Sequence, residues 1–451
     1  MMKTLWQLAN DLQTGQVTSR ALTEQALENI RNPEGQGSKA FVAVYEEAAL
    51  KMADAMDGLI GTGYTPSPLA GIPISIKDLF DEAGKETLAG SVASKGEGVA
   101  IQDSVVVQKL RASGAIIMGR TNMTEYAYSG LGLNPHYGTP LNPFDRETGR
   151  IPGGSSSGAA VSVADGMANV AMGSDTGGSV RIPSALCGLT GFKPTARRIS
   201  LRGVFPLSQS LDSIGPLGRS VDCCSMVDAI LSGAAPRRTR PVRVRQLRLA
   251  VLKKQLWENV DDHVGEALER TIAKLIDAGA MVEEIELEGL DRLPAVNEKG
   301  GFAAAEAYTN HRELIERKGD MFDPRIVSRI KKGQDQSAAD YLDLISARQE
   351  IIGMVNRQTR SYDALLGPTV PIIAPSVESL VKDERAYTRT NMLMLRNCSI
   401  FNFLDRCAFT LPCHKPGEAP VGLMVIGETM GDYKLIDVAS AIEGVVKQSM
   451  T

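Results

Sequence analysis

Two spacings of hydrophobic residues divide the chain. Near the N-terminus, apolar residues recur at helical spacing in "TLWQLANDLQ", and Thr18 or Ser19 can cap a second helix over "RALTEQALENI". From about residue 68, short apolar runs alternate with amphipathic stretches. The pattern therefore predicts an N-terminal helical segment over residues 1–62, followed by a region in which strands and helices alternate.

The first part of that region is regular enough to assign its elements one by one. "AGIPISIKDLF" and "AIIMGR" are typical of buried strands, and between them "DSVVVQKLRASG" predicts an amphipathic helix capped near Asp103. "GAAVSVADG" then predicts a helix of small residues and "NVAMGSD" another strand. This alternation indicates an α/β fold with a large mixed, mostly parallel central sheet covered by helices.

An arginine-rich stretch, "SGAAPRRTRPVRVRQLR", separates the two halves of the chain. No aromatic residue interleaves with its arginines, so a solvated linker explains it better than a nucleic-acid patch. After it, "LRLAVLKK", "HVGEALERTIAKLIDAGA" and "MVEEIEL" repeat the order strand, helix, strand. We therefore predict a single domain over 1–451, in which residues 245–451 continue the sheet begun by the first half.

Composition narrows the functional classes. The 451 residues are 43% hydrophobic and 23% charged, with a net charge of −4, which gives no general attraction to nucleic acid or anionic membranes. No run of 18 apolar residues is present, and the N-terminal residues become polar too early for a secretory signal. The six cysteines lack metal-ligand spacing. We expect a cytoplasmic protein with buried free thiols, no metal and no cofactor.

The stretch "GRIPGGSSSGAAVS", residues 149–162, is the first candidate for chemistry. It lacks the G-K-[ST] ending of a Walker phosphate loop. It does contain the string G-x-S-x-G, which would nominate Ser156 as a nucleophile at a strand-to-helix turn. The preceding "NPFDRETGRIP" is too charged and proline-rich for the buried strand that such a turn requires.

A second Gly/Ser stretch, "MGSDTGGSVRIPS", follows at residues 172–184. There Thr176, Gly177 and Gly178 precede Ser179 at the expected start of a helix. Glycines allow backbone N–H groups to converge on one point, and a helix N-terminus adds positive potential, which is how an oxyanion hole forms beside a nucleophile. This arrangement favours Ser179 as the attacking residue.

A serine nucleophile needs a base, and the candidate is Lys77. None of the four histidines lies in a segment expected to face the serine loops. Lys77 ends the apolar strand "GIPISIK", where burial would lower the pKa of its amine and make it a base near neutral pH. The alternative is a strand-end lysine whose ammonium group reaches solvent.

Together these segments resemble the amidase signature family. The resemblance is concentrated in residues 64–222 and extends more loosely over nearly the whole chain. The motifs that carry it are "PLAGIPISIKD" (68–78), "GRTNMTEYAY" (119–128), "PGGSSSGAAVSVADG" (152–166), "GSDTGGSVRIPSALCGLTGFKPT" (173–195) and "SLDSIGPLGRS" (210–220).

The resemblance implies a Ser-Ser-Lys triad. Ser179 matches the nucleophile, Ser155 the bridging serine that follows a cis peptide bond in the family, and Lys77 the general base. The backbone of Thr176, Gly177, Gly178 and Ser179 matches the oxyanion hole.

Other positions match family residues that support the site. Ser156, Asp175 and Arg181 are expected to hold the two loops, with Asp175 and Arg181 as a candidate pair. The segment after the "TN" pair helps line the acyl pocket in the family, which suggests Tyr126, Tyr128 and Leu131 as a partly apolar wall. Ordinary core packing explains these aromatic residues equally well.

The resemblance implies an amidase that cleaves the C–N bond of a small carboxamide through an acyl-enzyme. The alternative is a glutaminase resembling the A-type component of the tRNA-dependent amidotransferase. That class of proteins tends to read "GGSI-R-Q-P" where this chain has "GGSVRIPS", so Ile182 weakens the glutamine interpretation. We expect a small-molecule amide as the binding partner, no nucleic acid and no membrane, with a homodimer left open.

Overall fold

Eleven strands form one sheet in the computed structural model, which describes residues 3–448. The strands are β1 (Phe41–Val44), β2 (Pro73–Lys77), β3 (Ile116–Thr121), β4 (Val170–Ser174), β5 (Thr190–Lys193), β6 (Ile214–Gly218), β7 (Arg248–Val251), β8 (Met281–Glu284), β9 (Ala364–Pro368), β10 (Ala408–Pro412) and β11 (Gly422–Ile426). Their order across the sheet is β1-β3-β2-β4-β6-β5-β10-β11-β9-β7-β8.

Helices cover this sheet. They are α1 (Leu5–Gln13), α2 (Ser19–Arg31), α3 (Gly37–Ala40), α4 (Glu46–Gly61), α5 (Val105–Ala112), α6 (Ser157–Ala164), α7 (Arg181–Leu186), α8 (Val221–Ser232), α9 (Lys253–Leu256), α10 (Asp262–Asp277), α11 (Leu293–Val296), α12 (Gly301–Lys318), α13 (Pro324–Lys331), α14 (Ala338–Thr359), α15 (Val377–Val381), α16 (Glu384–Phe403) and α17 (Asp432–Gln448). Within residues 3–448, no helix combines the length and the apolarity needed to cross a bilayer.

The predicted α/β fold with a large mixed sheet is confirmed, but the sheet is not mostly parallel. Four of the ten described pairings are parallel: β2 with β3 and β4, and β7 with β8 and β9. The other six are antiparallel. The prediction assumed a helical crossover between successive strands, whereas no α-helix separates β5 from β6 or β10 from β11, so these strands reverse direction.

The N-terminal segment contains a strand that the helical pattern did not predict. β1 follows α2 and α3 and pairs antiparallel with β3 at the edge of the sheet. A side chain at Gly119 of β3 would lie 2.1 Å from the carbonyl oxygen of Ala43, so only glycine permits this pairing.

Two helix caps were predicted from the sequence. Of the two candidates for α2, Thr18 is the cap, because its side chain accepts from the N–H of Ala21. The cap of α5 is Ser104, one residue beyond Asp103.

The two halves of the chain join within the sheet, where β5 pairs with β10. Phe192 lies directly opposite Phe409, and their rings stack with centroids 4.1 Å apart. The arginine-rich stretch is largely exposed and is also tied down, because Arg237 pairs with Asp437 of α17. This continuity supports the one-domain organisation, which stays a prediction.

We expect Phe409→Ala to destabilise the whole chain as one unit. The substitution opens a cavity opposite Phe192, which typically costs about 3–5 kcal/mol. Urea unfolding followed by tryptophan fluorescence and far-UV circular dichroism should show one transition that moves to lower urea. Tyr64→Ala, at a side chain 60% exposed, is the control and should change the free energy of unfolding by less than about 0.5 kcal/mol. Two separate transitions, with only one moved by Phe409→Ala, would contradict the one-domain prediction.

Candidate active site

Lys77 lies at the end of the most enclosed part of the sheet. All five residues of β2 are buried, and parallel strands flank it on both sides. The Lys77 side chain is inaccessible to solvent, and its Nζ donates to Ser155 Oγ at 2.7 Å and to Ser174 Oγ at 2.9 Å. The amine therefore contacts one residue from each Gly/Ser stretch.

Burial changes the acid–base chemistry of this amine. Desolvation lowers the pKa of Lys77 from 10.5 to about 7, because a charged amine is disfavoured away from water. The carboxylates of Asp212 and Asp175 act in the opposite direction and raise it. The alternative of a strand-end lysine reaching solvent is wrong. Near neutral pH a substantial fraction of Lys77 is uncharged and able to accept a proton.

The loop that carries Ser155 leads into α6, and the Gly154–Ser155 peptide bond is cis. A side chain at Gly154 would lie 2.5 Å from the backbone nitrogen of Gly132, so only glycine fits there. The N–H of Gly154 donates to the carbonyl oxygen of Gly130, and the N–H of Thr124 donates to that of Ser155. The segment after the "TN" pair thus fixes the serine beside Lys77.

The second loop runs from β4 to α7 and contains Ser179, which is 2% exposed. Within residues 3–448, the backbone N–H groups of Thr176, Gly177 and Ser179 have no hydrogen-bond partner. Three free backbone donors close to a serine are the arrangement that stabilises an oxyanion.

Gly178 differs from its neighbours in this loop. Its N–H donates to Asp175 Oδ1 at 2.8 Å, and its φ of +126° lies in the region that favours glycine. A side chain at Gly178 would lie 2.6 Å from Cβ of Cys398. Gly178 therefore shapes the turn, and the three free N–H groups around it are those available to a ligand.

A buried ion pair holds this loop. Arg181 and Asp175 are both inaccessible to solvent, and Arg181 donates to both carboxylate oxygens at 3.0 Å. Burial alone would raise the pKa of Asp175, but Arg181 outweighs it and holds that pKa below its usual range. Asn402 of α16 donates to Asp175 and accepts from Arg181. The suggested pairing of Asp175 with Arg181 is confirmed.

Ser156 joins the two loops through its backbone. Its N–H donates to the carbonyl oxygen of Ser179 at 3.3 Å, and its hydroxyl donates to that of Ser174 at 3.4 Å. Ser156 also precedes the first turn of α6. These contacts fit a residue that holds the loops together, as predicted.

Three residues that contribute to this site were not predicted from the sequence. Ser174 hydrogen-bonds Lys77, Asp212 accepts from the hydroxyl of Thr176 at 2.5 Å, and Asn402 bridges the buried ion pair. Ser174 and Asp212 lie inside two of the motifs that carry the family resemblance, 173–195 and 210–220. That position in the motifs was the signal by which the sequence could have pointed to them. Asn402 comes from a helix more than 200 residues downstream, and nothing in its surrounding sequence marks it.

The two tyrosines predicted to line a pocket lie in different surroundings. Tyr126 is buried, its ring lies 4.2 Å from that of His311, and its hydroxyl hydrogen-bonds Ser94. Tyr128, two residues before Gly130, has the guanidinium of Arg329 stacked 4.5 Å from its ring centroid. Among the described residues no ion pair involves Arg329, a half-buried cation beside the segment that holds the Ser155 loop.

No histidine contacts the serine loops in the part of the chain that the structure describes. Their contacts are with Glu125, the carbonyl oxygen of Ala419, buried aromatic rings and the N–H of Val421. Within residues 3–448 no group of three or more His, Cys, Asp or Glu side chains is arranged to hold a metal ion. The six cysteines are free and buried, as expected.

Comparisons with known proteins agree over most of the chain. The sequence profile of the Amidase family matches residues 21–436. A 2-amino-5-chloromuconic acid deaminase of Comamonas testosteroni is 35% identical over 404 residues, covering 89% of this chain and 87% of that protein. The A-type component of the glutamyl-tRNA(Gln) amidotransferase of Symbiobacterium thermophilum is 33% identical over 470 residues, covering 96% and 94%. A crystal structure of an amidase superposes with a TM-score of 0.88 at 32% identity, covering 98% of this chain and 99% of its own.

These matches include the strand that ends at Lys77, both Gly/Ser loops and the later helices that hold them. The relatives bear the names of an amidase, a deaminase and a component of an amidotransferase. The chain therefore belongs to the amidase signature family, and it is an amidohydrolase.

Proposed function

We propose that the chain hydrolyses the C–N bond of a small carboxamide through a Ser179 acyl-enzyme, with Ser155 as proton relay and Lys77 as base. The observation that carries this proposal is the 2.7 Å contact between the desolvated Lys77 amine and Ser155 Oγ. A neutral amine in a buried site at the end of a strand, joined to a serine, is poised to accept a proton.

In this mechanism protons move between Ser179, Ser155 and Lys77. As Ser179 Oγ attacks the carbonyl carbon, its proton passes to Ser155 Oγ, and the Ser155 proton passes to Lys77 Nζ. The N–H groups of Thr176, Gly177 and Ser179 receive the developing oxyanion. When the tetrahedral intermediate collapses, Ser155 gives a proton to the leaving nitrogen and regains one from Lys77. Water then attacks the acyl-enzyme and gives a proton to Ser155, whose own proton passes to Lys77. On collapse, Ser155 gives a proton to Ser179 Oγ and regains one from Lys77, and the carboxylic acid is released.

A cation beside the segment that holds the Ser155 loop bears on the substrate class. Arg329 stacks on Tyr128 and has no carboxylate partner among the described residues. One relative carries the name of a muconic acid deaminase, so its substrate bears carboxyl groups. We infer that this chain favours an amide that also carries a carboxylate, which Arg329 can bind through its planar pair of donors.

A second candidate function is the release of ammonia from glutamine for a partner protein. The match to the A-type amidotransferase component, which covers 96% of this chain and 94% of that protein, favours it. Against it, Ile182 is buried and its N–H donates to the carbonyl oxygen of Gly178, at a position where that class of proteins tends to carry a polar residue. Ammonia release from glutamine by the isolated chain, compared with other amides, separates the two functions.

We expect Ser179→Ala to abolish amide hydrolysis, lowering kcat/KM by at least about 10³-fold, because it removes the attacking oxygen. One hydroxyl is lost from a loop of small residues, so thermal stability should hardly change. Ammonia release and acyl transfer to hydroxylamine are the measurements. Ser156→Ala is the matched comparison and should keep more activity than Ser179→Ala. The reverse order would make Ser156 the nucleophile.

The pH dependence should follow the charge on Lys77. We expect kcat/KM to rise with pH through a limb near the Lys77 pKa of about 7, and Lys77→Met to lose most activity together with this limb. The unfolded chain binds the proton more tightly, so the contribution of Lys77 to the free energy of unfolding should rise between about pH 7 and 10.5.

Lys193 supplies the control for this pH profile. It ends β5, is buried like Lys77 and also has a lowered pKa because of burial, but its Nζ donates to a backbone carbonyl. Lys193→Met should leave the limb at the same pH, whatever it does to stability. A wild-type limb in Lys77→Met would remove lysine from the mechanism.

We expect Arg329→Gln to raise KM for carboxylated amides by at least about 10-fold and to leave KM for neutral amides within about two-fold. Matched substrate pairs that differ only in the carboxylate, such as succinamic acid and butyramide, provide the internal control. Equal changes for both members of a pair would show that Arg329 does not select the carboxylate.

A further inference from the structure

Asp212 lies just before β6, is 4% exposed, and accepts three hydrogen bonds through its carboxylate. Its Oδ1 accepts from the hydroxyl of Thr176 at 2.5 Å, and its Oδ2 accepts from the N–H groups of Leu207 and Ser208 at 3.0 and 3.1 Å. One carboxylate therefore joins the oxyanion loop to the segment that precedes β6.

The neighbouring backbone extends the same connection. The N–H of Asp175 donates to the carbonyl oxygen of Ser213 at 2.8 Å, and the N–H of Ser213 donates back to that of Asp175 at 3.2 Å. These bonds continue the antiparallel pairing of β4 with β6 by one residue. The bond from Thr176 to Asp212 is the last link before the chain enters Gly177 and Gly178, which add no side-chain restraint.

We propose that Asp212 is a positioning residue for hydrolysis, which holds Thr176 in the orientation that aims the oxyanion loop and supplies a negative charge that acts on Lys77. This inference rests on the proposed function of Lys77 and Ser179. Thr176 is the last side-chain-bearing residue before the two glycines, so fixing its hydroxyl restricts the N–H groups that follow.

The charges around Lys77 distinguish Asp212 from Asp175. Both carboxylates raise the pKa of Lys77. Asp175 is neutralised by Arg181, whereas no cationic side chain forms an ion pair with Asp212 within residues 3–448. Glu306 of α12 is a further acidic group near Asp212. Burial raises the pKa of Asp212 to about 6, although the hydrogen bonds that it accepts lower it. The carboxylate is therefore mostly charged at neutral pH.

Asp212→Asn and Thr176→Val should therefore differ in their pH profiles. Thr176→Val removes the hydroxyl that Asp212 binds and should lower the plateau kcat/KM by about 10²-fold, the usual effect of losing one oxyanion interaction. The amide in Asp212→Asn can still hydrogen-bond Thr176 but has one acceptor oxygen instead of two, so its plateau should fall less. Asp212→Asn also removes a negative charge, so the Lys77 limb should move to lower pH by at least half a unit. Thr176→Val keeps the carboxylate, so its limb should lie closer to the wild-type limb than that of Asp212→Asn. The measurement is kcat/KM against pH for one amide.

Asp432 offers a matched control at a distance from the loops. Like Asp212 it is buried and accepts from a threonine hydroxyl and a backbone N–H, here both of Thr195. Asp432→Asn should leave both the limb and the plateau unchanged. Thr176→Ser keeps the hydroxyl and should recover at least about ten-fold over Thr176→Val.

Equal limb positions in Asp212→Asn and the wild type would overturn the inference about the charge, and a wild-type plateau in Thr176→Val would overturn the inference about positioning. If Asp212→Asn does not fold, equal activity of Thr176→Val and Thr176→Ser would overturn it. Lys77→Met is measured in parallel: retention of the limb there would contradict the proposed function itself, whereas its loss together with an unmoved limb in Asp212→Asn contradicts this inference alone.

Discussion

The burial of one amine is the constraint on which the rest of this structure depends. An amine removed from water is costly to keep charged, and the Lys77 nitrogen donates to two serine hydroxyls and forms no ion pair within residues 3–448. The sheet makes this possible because β2 lies between two parallel strands, so its last residue ends in the interior. The lowered pKa of Lys77 follows from that position, and the proposed role as base depends on it.

The serines that face this amine are held by polar contacts from distant parts of the chain. The Asp175–Arg181 pair is completed by Asn402 and the carbonyl oxygen of Cys398, both in α16. A buried carboxylate left alone would be destabilising by several kcal/mol, so this pair fixes the loop only because both partners are present. The second half of the chain thus contributes directly to the site formed by the motifs of the first half.

The sequence predicted those parts of the fold and the site that depend on local pattern. The strand ending at Lys77, the small-residue helix after Ser155 and the cap at Thr18 all follow from spacing within a few residues. Strand direction did not, because it depends on whether a helix crosses the sheet, and the long segment between β5 and β6 gives no such signal. Asn402 could not be predicted either, since its role depends only on how α16 packs against α7.

In the proposed mechanism, two buried carboxylates near the site pose an electrostatic problem, because each repels the oxyanion that develops there. The repulsion is reduced in a different way for each carboxylate. Asp175 binds the N–H of Gly178 and is neutralised by Arg181, so it shapes the turn with little net field. Asp212 keeps its charge but interacts with the loop through the hydroxyl of Thr176, leaving the backbone N–H of that residue free. Its remaining field favours protonated Lys77, which is the form that Lys77 adopts in the proposed mechanism as the oxyanion develops. In that mechanism, the same charge that opposes the oxyanion stabilises the ammonium formed with it.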